Sequence, residues 1–258
     1  MPLLQLKGLG KDFGRLVAVN RIDLGLEPGE IRGLIGPNGS GKTTIFNLIT
    51  GFISPSRGTV FFQGEDITDL APHAVAGRGL ARTFQLTALF KEMTALQNVI
   101  IACHLNTRLG LLRQFFWTER TRRRERAIEE RALELLEFMG IADKKNEIAG
   151  ELPHGHQCAV GIANALATNP RLILLDEPVG GMNPTETAQT MEKIKKLRDQ
   201  GLTVLLVEHD MKAVMSTCDR ITCINFGNKI AEGTAQEVCS CKEVNDAYLG
   251  GTIEACSL

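Results

Sequence analysis

The stretch "GPNGSGKT", residues 36–43, decides the fold because it fills the pattern G-x-x-x-x-G-K-[ST] of a phosphate-binding loop. The apolar segment before it, 31–35, is typical of a buried strand, and residues 43–49 predict a helix. Glycines allow successive backbone N–H groups to face a phosphate at the positive end of the helix dipole. Lys42 is expected to reach the β- and γ-phosphates, and the Thr43 hydroxyl to help hold Mg²⁺. By itself the loop indicates only a nucleotide.

An acidic strand supplies the second half of such a site. The segment "RLILLDEP", residues 171–178, places Asp176 and Glu177 at the end of an apolar run. Asp176 is expected to bind Mg²⁺ through water, and Glu177 to polarise the water that attacks the γ-phosphate. Acids at strand ends are common, so the prediction depends on their pairing with the phosphate loop.

A third strand, "LTVLLVEHD" at residues 202–210, is predicted to end at His209. A helix cap or a hydrogen-bonded core histidine is the alternative reading of a lone histidine at this place. Parallel sheets, however, collect their ligand groups at the carboxyl ends of strands. His209 is therefore a candidate sensor of the γ-phosphate.

Composition restricts the partners. The chain of 258 residues has 29 Lys and Arg against 30 Asp and Glu, a net charge of -1, so no polybasic field predicts nucleic acid as a partner. Its seven cysteines form no C-x-x-C pair and no secretory signal precedes them, which favours reduced intracellular thiols. Cys239 and Cys241 alone do not complete a tetrahedral metal site. The apolar runs are of strand length, so no membrane span is expected.

The order of elements predicts an α/β protein with two additions. Residues 3–35 and 58–64 alternate short β-like segments with turns, which indicates an antiparallel layer. Residues from about 94 to 150 have helical apolar spacing, which indicates a helical insertion. Strands and helices alternate again from Arg171 onward, with helices expected near 184–200 and 211–217.

The ordered motifs resemble the ATPase subunit of ABC transporters over essentially the whole chain. The resemblance implies that Phe13 in "KDFGRLVAV" stacks on adenine, and that Gln85 in "ARTFQ" contacts both Mg²⁺ and the membrane partner. It implies that "GGMNP", residues 180–184, crosses between two subunits, and that His209 is the switch histidine.

The same resemblance implies the architecture and the ligands. The fold is a P-loop NTPase (RecA-like) core at 1–85 and 156–258, with the antiparallel β layer and a helical subdomain at 86–155, all within one ATPase domain. ATP and Mg²⁺ are the implied cofactors, with Glu177, His209 and Gln85 catalytic and Thr43, Gln85 and Asp176 around the metal. The implied ATP-binding residues are Phe13, Gly36, Pro37, Asn38, Gly39, Ser40, Gly41, Lys42, Thr43 and Thr44.

The segment "LPHGHQ", residues 152–157, occupies the position of the family's L-S-G-G-Q signature, which closes on the ATP of the opposite subunit. Leu152, Gly155 and Gln157 match, whereas Pro153, His154 and His156 depart from the pattern. Pro153 has neither a hydroxyl nor an N–H to donate. A metal site on the two histidines would need further ligands. We expect instead a divergent signature loop whose imidazole N–H groups donate to phosphate.

One subgroup resembles the chain in particular, the ATPases of branched-chain (hydrophobic) amino-acid importers. The resemblance rests on "GPNGSGKTTIFNLITGF", "ARTFQLTALFKEMTALQNVIIA", "VEHDMKAVM", the ending "AEGTAQEV…VNDAYLG" and the long insertion after Cys103 that contains residues 109–117. It implies membrane permease subunits, a second ATPase subunit, identical or related, and indirectly a substrate-binding protein. It also implies a peripheral location on the cytoplasmic face of the plasma (inner) membrane.

Alternatives remain open at this point. They are a urea or amide importer ATPase, a soluble ABC ATPase such as one for iron–sulfur assembly, and a degenerate regulatory subunit. The arginine-rich start of the helix near 123 is either a solvated face or a docking surface for a membrane subunit.

Overall fold

The computed structural model describes residues 1–83, 89–105 and 119–248. The chain divides into two compact units. Unit 1 is Met1–Arg82, Arg171–Glu177 and Ile194–Leu258, and unit 2 is Thr83–Pro170 and Pro178–Lys193. The predicted nucleotide-binding core, 1–85 and 156–258, and the helical subdomain, 86–155, stay predictions, because packing rather than nucleotide binding defines these two units.

Unit 1 contains the expected antiparallel layer. Its strands are β1 (Leu4–Phe13), β2 (Leu16–Leu26), β4 (Arg57–Phe62) and β5 (Glu65–Asp66), in the order β2-β1-β4-β5. Leucines at alternate positions of the first half of β1 are buried, as period-2 side chains require when one face covers a core.

A six-stranded sheet carries the predicted phosphate-binding loop of unit 1. It has the order β10-β9-β3-β8-β7-β6, in which β10 is antiparallel and the other strands are parallel. Every residue of β3, β7 and β8 is buried, as expected for parallel strands covered on both faces. The bounds are β3 Ile31–Ile35, β6 Leu80–Arg82, β7 Leu172–Asp176, β8 Thr203–Val207, β9 Arg220–Asn225 and β10 Asn228–Gly233.

The helices of unit 1 cover these sheets. One apolar core joins both sheets to the first helix, with Phe46 and Phe62 among its largest fully buried side chains. The helices are α1 (Lys42–Ile49), α2 (Pro72–Ala76), α7 (Met211–Thr217), α8 (Ala235–Cys239) and α9 (Lys242–Tyr248). The prediction that β8 extends to His209 was wrong, since the strand ends at Val207.

Unit 2 is helical, as the apolar spacing predicts. It contains α3 (Ala95–Leu105), α4 (Glu119–Phe138), α5 (His154–Ala167) and the first ten residues of α6 (Pro184–Asp199). Ile128, Ala132, Leu135 and Leu136 of α4 are buried, whereas Ala127 faces outward. The arginines from 122 to 126 are exposed, and residues 109–117 of the tryptophan-containing insertion lie outside the described residues.

Two further expectations concern membranes and thiols. No helix within the described ranges has the length and apolarity of a membrane span.

The free thiols among the described residues are Cys103, Cys158, Cys218, Cys223 and Cys241. Cys239 is disulfide-bonded, so the expectation of reduced thiols throughout was wrong.

Candidate functional site

The glycine-rich loop lies between β3 and α1, at the carboxyl end of a central strand of the parallel sheet. Gly41 has φ 109°, and a Cβ there would lie 2.6 Å from the carbonyl oxygen of Ala18 on β2. A Cβ at Gly36 would collide with the carbonyl oxygen of Ile224. The loop therefore runs too close to the backbones of β2 and β9 for any residue but glycine at these positions.

The start of α1 is prepared for an anion. Gly41 provides no side-chain cap, and the first turn contains no acidic residue. The Ser40 hydroxyl is buried, with no hydrogen-bond partner among the described residues. Because the first N–H groups of a helix lack partners within it, a phosphate placed here would receive their hydrogen bonds and meet the positive end of the dipole.

Lys42, the first residue of α1, folds back over the loop. Its Nζ donates to the carbonyl oxygens of Gly36 at 2.7 Å and Pro37 at 3.0 Å. Burial lowers the pKa of this lysine, and the nearby carboxylates Glu177 and Asp176 partly counter that effect. The ammonium is thus held at the loop by weak carbonyl acceptors, which a phosphate can replace with stronger charge-assisted bonds.

Glu177 and His209 meet at the ends of two neighbouring strands. Glu177 follows β7 in a left-handed conformation, with φ 50°, and its N–H donates to the Val207 carbonyl at 2.9 Å. Its Oε1 lies 2.9 Å from His209 Nε2. A left-handed glutamate costs free energy, and such strain is concentrated at functional sites. The acid and the imidazole form a hydrogen-bonded pair able to move a proton.

Asp176, the last residue of β7, is almost fully buried beside Arg82. Arg82 Nη2 donates to Asp176 Oδ2 at 2.9 Å, and Arg82 Nη1 donates to Asn47 Oδ1 at 2.6 Å. Arg82 and Asn47 were missed by the sequence analysis. A basic residue three positions before Gln85, at the end of a short strand, was the available signal.

Thr43 is exposed on the first turn of α1, and Thr44 is half-buried beside it. The hydroxyl of Thr43 and the carboxylate of Asp176 are hard oxygen donors of the kind that Mg²⁺ takes together with substrate phosphates. The donor set in unit 1 therefore fits this ion. Gln85, the third predicted contact of the metal, lies outside the described residues.

Phe13 ends β1 and is half exposed, with Lys11 Nζ 5.3 Å from its ring centroid. It pairs with Leu16 across the hairpin, two residues before Ala18, the residue that contacts the phosphate loop. The hairpin thus presents an aromatic face beside that loop, and an exposed ring of this kind can stack on a base.

The segment 152–157 lies in unit 2. The expectation of a loop was wrong for its last four residues, because α5 begins at His154. Pro153 occupies the N-cap position without a side-chain cap bond, and its carbonyl accepts from the N–H groups of His156 and Gln157. The Gln157 side chain donates to the Leu152 carbonyl at 2.7 Å. Two imidazoles therefore flank Gly155 in the first turn of an uncapped helix.

The segment "GGMNP", residues 180–184, is also in unit 2 and leads into α6. Asn183 Oδ1 accepts from the N–H groups of Thr185 and Glu186, each at 3.0 Å, and Glu186 Oε2 accepts from the Asn183 N–H at 3.0 Å. This reciprocal capping fixes the end of "GGMNP" as a helix start.

Comparison with known proteins identifies the family. Residues 19–180 match the model of the ABC transporter family. The high-affinity branched-chain amino acid transport ATP-binding protein BraF of Pseudomonas aeruginosa is 44% identical over 250 residues, which cover 96% of this chain and 98% of that protein. The corresponding protein LivG of Escherichia coli is 42% identical with the same coverage.

Solved structures give the same result. A nucleotide-free ATP-binding cassette from an ABC transporter is 31% identical with a TM-score of 0.84, covering 97% of this chain and 100% of that one. An ATP-binding cassette in its ADP conformation has a TM-score of 0.83 at 31% identity and the same coverage. These matches confirm the P-loop NTPase fold. The chain therefore belongs to the ABC transporter family and is one of its ATPases.

Proposed function

We propose that this chain is the ATP-hydrolysing subunit of an importer for branched-chain or other hydrophobic amino acids. The hydrogen bond between Glu177 and His209, beside Lys42 and Asp176, is the observation that carries the hydrolytic part. The names of relatives 42–44% identical over nearly the whole chain support the transport part and favour it over the urea and iron–sulfur alternatives. The degenerate-subunit alternative is disfavoured by the acid–imidazole pair.

In this proposal the chain's own residues prepare ATP for attack by water. The N–H groups at the start of α1 and the Lys42 ammonium hold the β- and γ-phosphates, and Phe13 stacks on the base. Mg²⁺, held with Thr43 and Asp176, would neutralise charge on the phosphate oxygens. Glu177 orients and polarises the attacking water, while His209 positions the glutamate and contacts the γ-phosphate.

Two such subunits would enclose two ATP molecules head to tail, with residues 152–157 of each facing the phosphates bound by the other. A dimeric ATP-binding cassette bound to ADP and Pi, 27% identical with a TM-score of 0.78, supports the pairing of two subunits. Closure would act on permease subunits through Gln85, at the cytoplasmic face of the inner membrane, and a substrate-binding protein would deliver the cargo. The second ATPase subunit is either a copy of this chain or a related one.

The mass in solution of Glu177→Gln, measured by light scattering with and without Mg-ATP, tests the assembly. We expect ATP-dependent dimers, because the amide keeps the binding contacts and removes the group that polarises water. Turnover is expected to fall by about 100-fold or more, in the range of losing a general base. Wild-type turnover in this variant would contradict the role of Glu177. ATP binding without dimers would indicate a different partner chain.

The substrate class is tested in cells that lack the chain. Wild-type protein is expected to restore uptake of radiolabelled leucine, and Glu177→Gln is not. Restored uptake of urea without leucine would contradict the proposed cargo while leaving the ATPase assignment intact.

A further inference from the structure

Arg82 is a buried arginine at the edge of the phosphate-binding site that the proposed function leaves without a role. It ends β6, and the side chains of both Arg82 and Asp176 are only 7% exposed in their ion pair. Its guanidinium also lies over the Phe46 ring, 5.3 Å from the centroid. An arginine enclosed in this way adopts one orientation, and its planar fork fixes the groups that it contacts.

The sheet register aims Arg82 at Asp176. Strand β6 runs parallel to β7, with Arg82 opposite Leu174. Because side chains alternate along a strand, Leu174 and Asp176 lie on the same face of the sheet. Arg82 reaches along that face to Asp176 Oδ2 at 2.9 Å.

The other arm of the guanidinium reaches helix α1. Arg82 Nη1 donates to Asn47 Oδ1 at 2.6 Å. Asn47 follows Thr43 by four residues, so the two share one face of α1 one turn apart. A single guanidinium therefore connects the strand that ends in Asp176 to the helix face that carries Thr43.

We propose that Arg82 is a positioning residue for the metal–nucleotide complex, because its guanidinium fixes the spacing between the Asp176 carboxylate and helix α1. The inference rests on the proposed function, in which Thr43 and Asp176 supply the oxygens around Mg²⁺. Partners that orient metal ligands typically change metal affinity by about 10- to 100-fold when they are removed.

A role as a simple counter-charge makes the opposite prediction. A guanidinium close to a divalent cation repels it, so removing the positive charge would then strengthen Mg²⁺ binding. Lysine keeps the charge but offers a point donor in place of a planar fork. Arg82→Lys therefore separates geometry from charge, and Arg82→Met removes both.

The experiment measures binding of a fluorescent ATP analogue to the full chain, once in EDTA and once across a Mg²⁺ titration. We expect the Mg²⁺ concentration for half-maximal tight binding to rise about 10-fold in Arg82→Lys and at least as much in Arg82→Met. Affinity in EDTA should stay within about twofold of wild type, because the phosphate loop is unchanged. Asn47→Ala removes the hydrogen bond from Arg82 to α1 and leaves the contact with the Phe46 ring, so it should raise the Mg²⁺ requirement by about threefold. If Arg82→Met fails to fold, Asn47→Ala takes its place in the comparison.

Arg78→Lys is the matched control, since Arg78 forms an exposed ion pair with Glu65 in the same unit. It should leave both titrations unchanged. Wild-type Mg²⁺ dependence in Arg82→Lys and Asn47→Ala would overturn the role of Arg82 and leave the proposed function standing. An equal loss of affinity in EDTA and in Mg²⁺ would also overturn it, because the role would then be one of general stability. If nucleotide binding by the wild-type protein does not depend on Mg²⁺, that result would contradict the proposed function as well.

Discussion

Two helix starts in this molecule, those of α1 and α5, are built from different materials. Both starts lack a side-chain cap and an acidic residue in the first turn. At the other end, neither helix has a basic residue in its last turn. The loop before α1 brings glycine N–H groups, and the first residue of α1 is a buried lysine. Pro153, the residue before α5, has no N–H, and the next turn carries two imidazoles. In the proposed function, phosphate binding at α1 would thus depend mainly on backbone N–H groups, whereas binding at α5 would depend on side chains.

The local contacts follow the same division. Gly41 is held by close approach to β2, and Lys42 is tied to two loop carbonyls before any ligand arrives. At α5, His154 Nδ1 lies 3.6 Å from Cys158 Sγ, and His156 Nδ1 is buried with no partner among the described residues. Donor N–H groups of the backbone are fixed by the path of the chain and cannot be removed singly by substitution. Donor groups on side chains can be removed one at a time. Substitutions can therefore separate the two regions.

The largest effect is expected at Lys42. Lys42→Ala removes the ammonium that would contact two phosphates, and a charge-assisted pair at a partly desolvated site makes a large contribution to binding. We expect ATP affinity to fall by more than about 100-fold in equilibrium titration of the full chain.

The control for Lys42→Ala is Lys144→Ala, which removes an exposed ion pair with Glu147 in unit 2. It should bind ATP as wild type does. Retained affinity in Lys42→Ala would mean that the backbone of the loop alone holds the nucleotide.

The α1 region could be predicted from sequence because its chemistry is local. Glycine spacing and the following lysine specify the loop, and the apolar runs specify the parallel strands beside it. The contact from Arg82 to Asp176 could not be predicted, since it joins residues 94 positions apart through a strand of three residues. Nor could the start of α5, because proline stops an incoming helix as readily as it begins a new one. Gln85 stays a prediction.

The next largest effect concerns the imidazoles of α5. In the Glu177→Gln background, His154→Ala and His156→Ala should each weaken ATP-dependent dimers by about 10-fold, because each removes a hydrogen-bond donor to phosphate in the partner's site. ATP affinity of the monomer should not change. Light scattering over a range of protein concentrations gives the dimer dissociation constant.

His73→Ala, at an exposed histidine of unit 1, is the control for these variants. Unchanged dimers in both α5 variants would show that the histidines do not donate to phosphate. Weaker monomer binding would instead place them in the chain's own ATP site.

A smaller effect, in the direction of tighter ATP-dependent dimers, is expected from Pro153→Ser. Serine at an N-cap stabilises a helix by about 1 kcal/mol, and losing proline costs about 0.4–1 kcal/mol through the unfolded state. These terms nearly cancel, so Tm should change little. The new hydroxyl can donate to phosphate, and about 1 kcal/mol corresponds to roughly fivefold tighter dimers. A rise in Tm without tighter dimers would mean that the serine caps α5 and contributes nothing to the partner's ATP.

The smallest effect separates the two regions by pH. Burial lowers the pKa of Lys42, so the nucleotide-free protein loses this proton at a lower pH than an ordinary lysine with a pKa of 10.5 would. ATP binds the protonated form, and affinity must therefore fall as pH rises through the pKa of the free protein. Between pH 8 and 10 the charge of ATP is constant, and we expect the ATP affinity of the monomer to decline with rising pH, as the lowered pKa of Lys42 requires. Dimer assembly at ATP concentrations that keep the site full should stay constant over this range, because the titrating group belongs to α1 alone. Flat monomer affinity to pH 10 would mean that the carboxylates Glu177 and Asp176 outweigh the effect of burial.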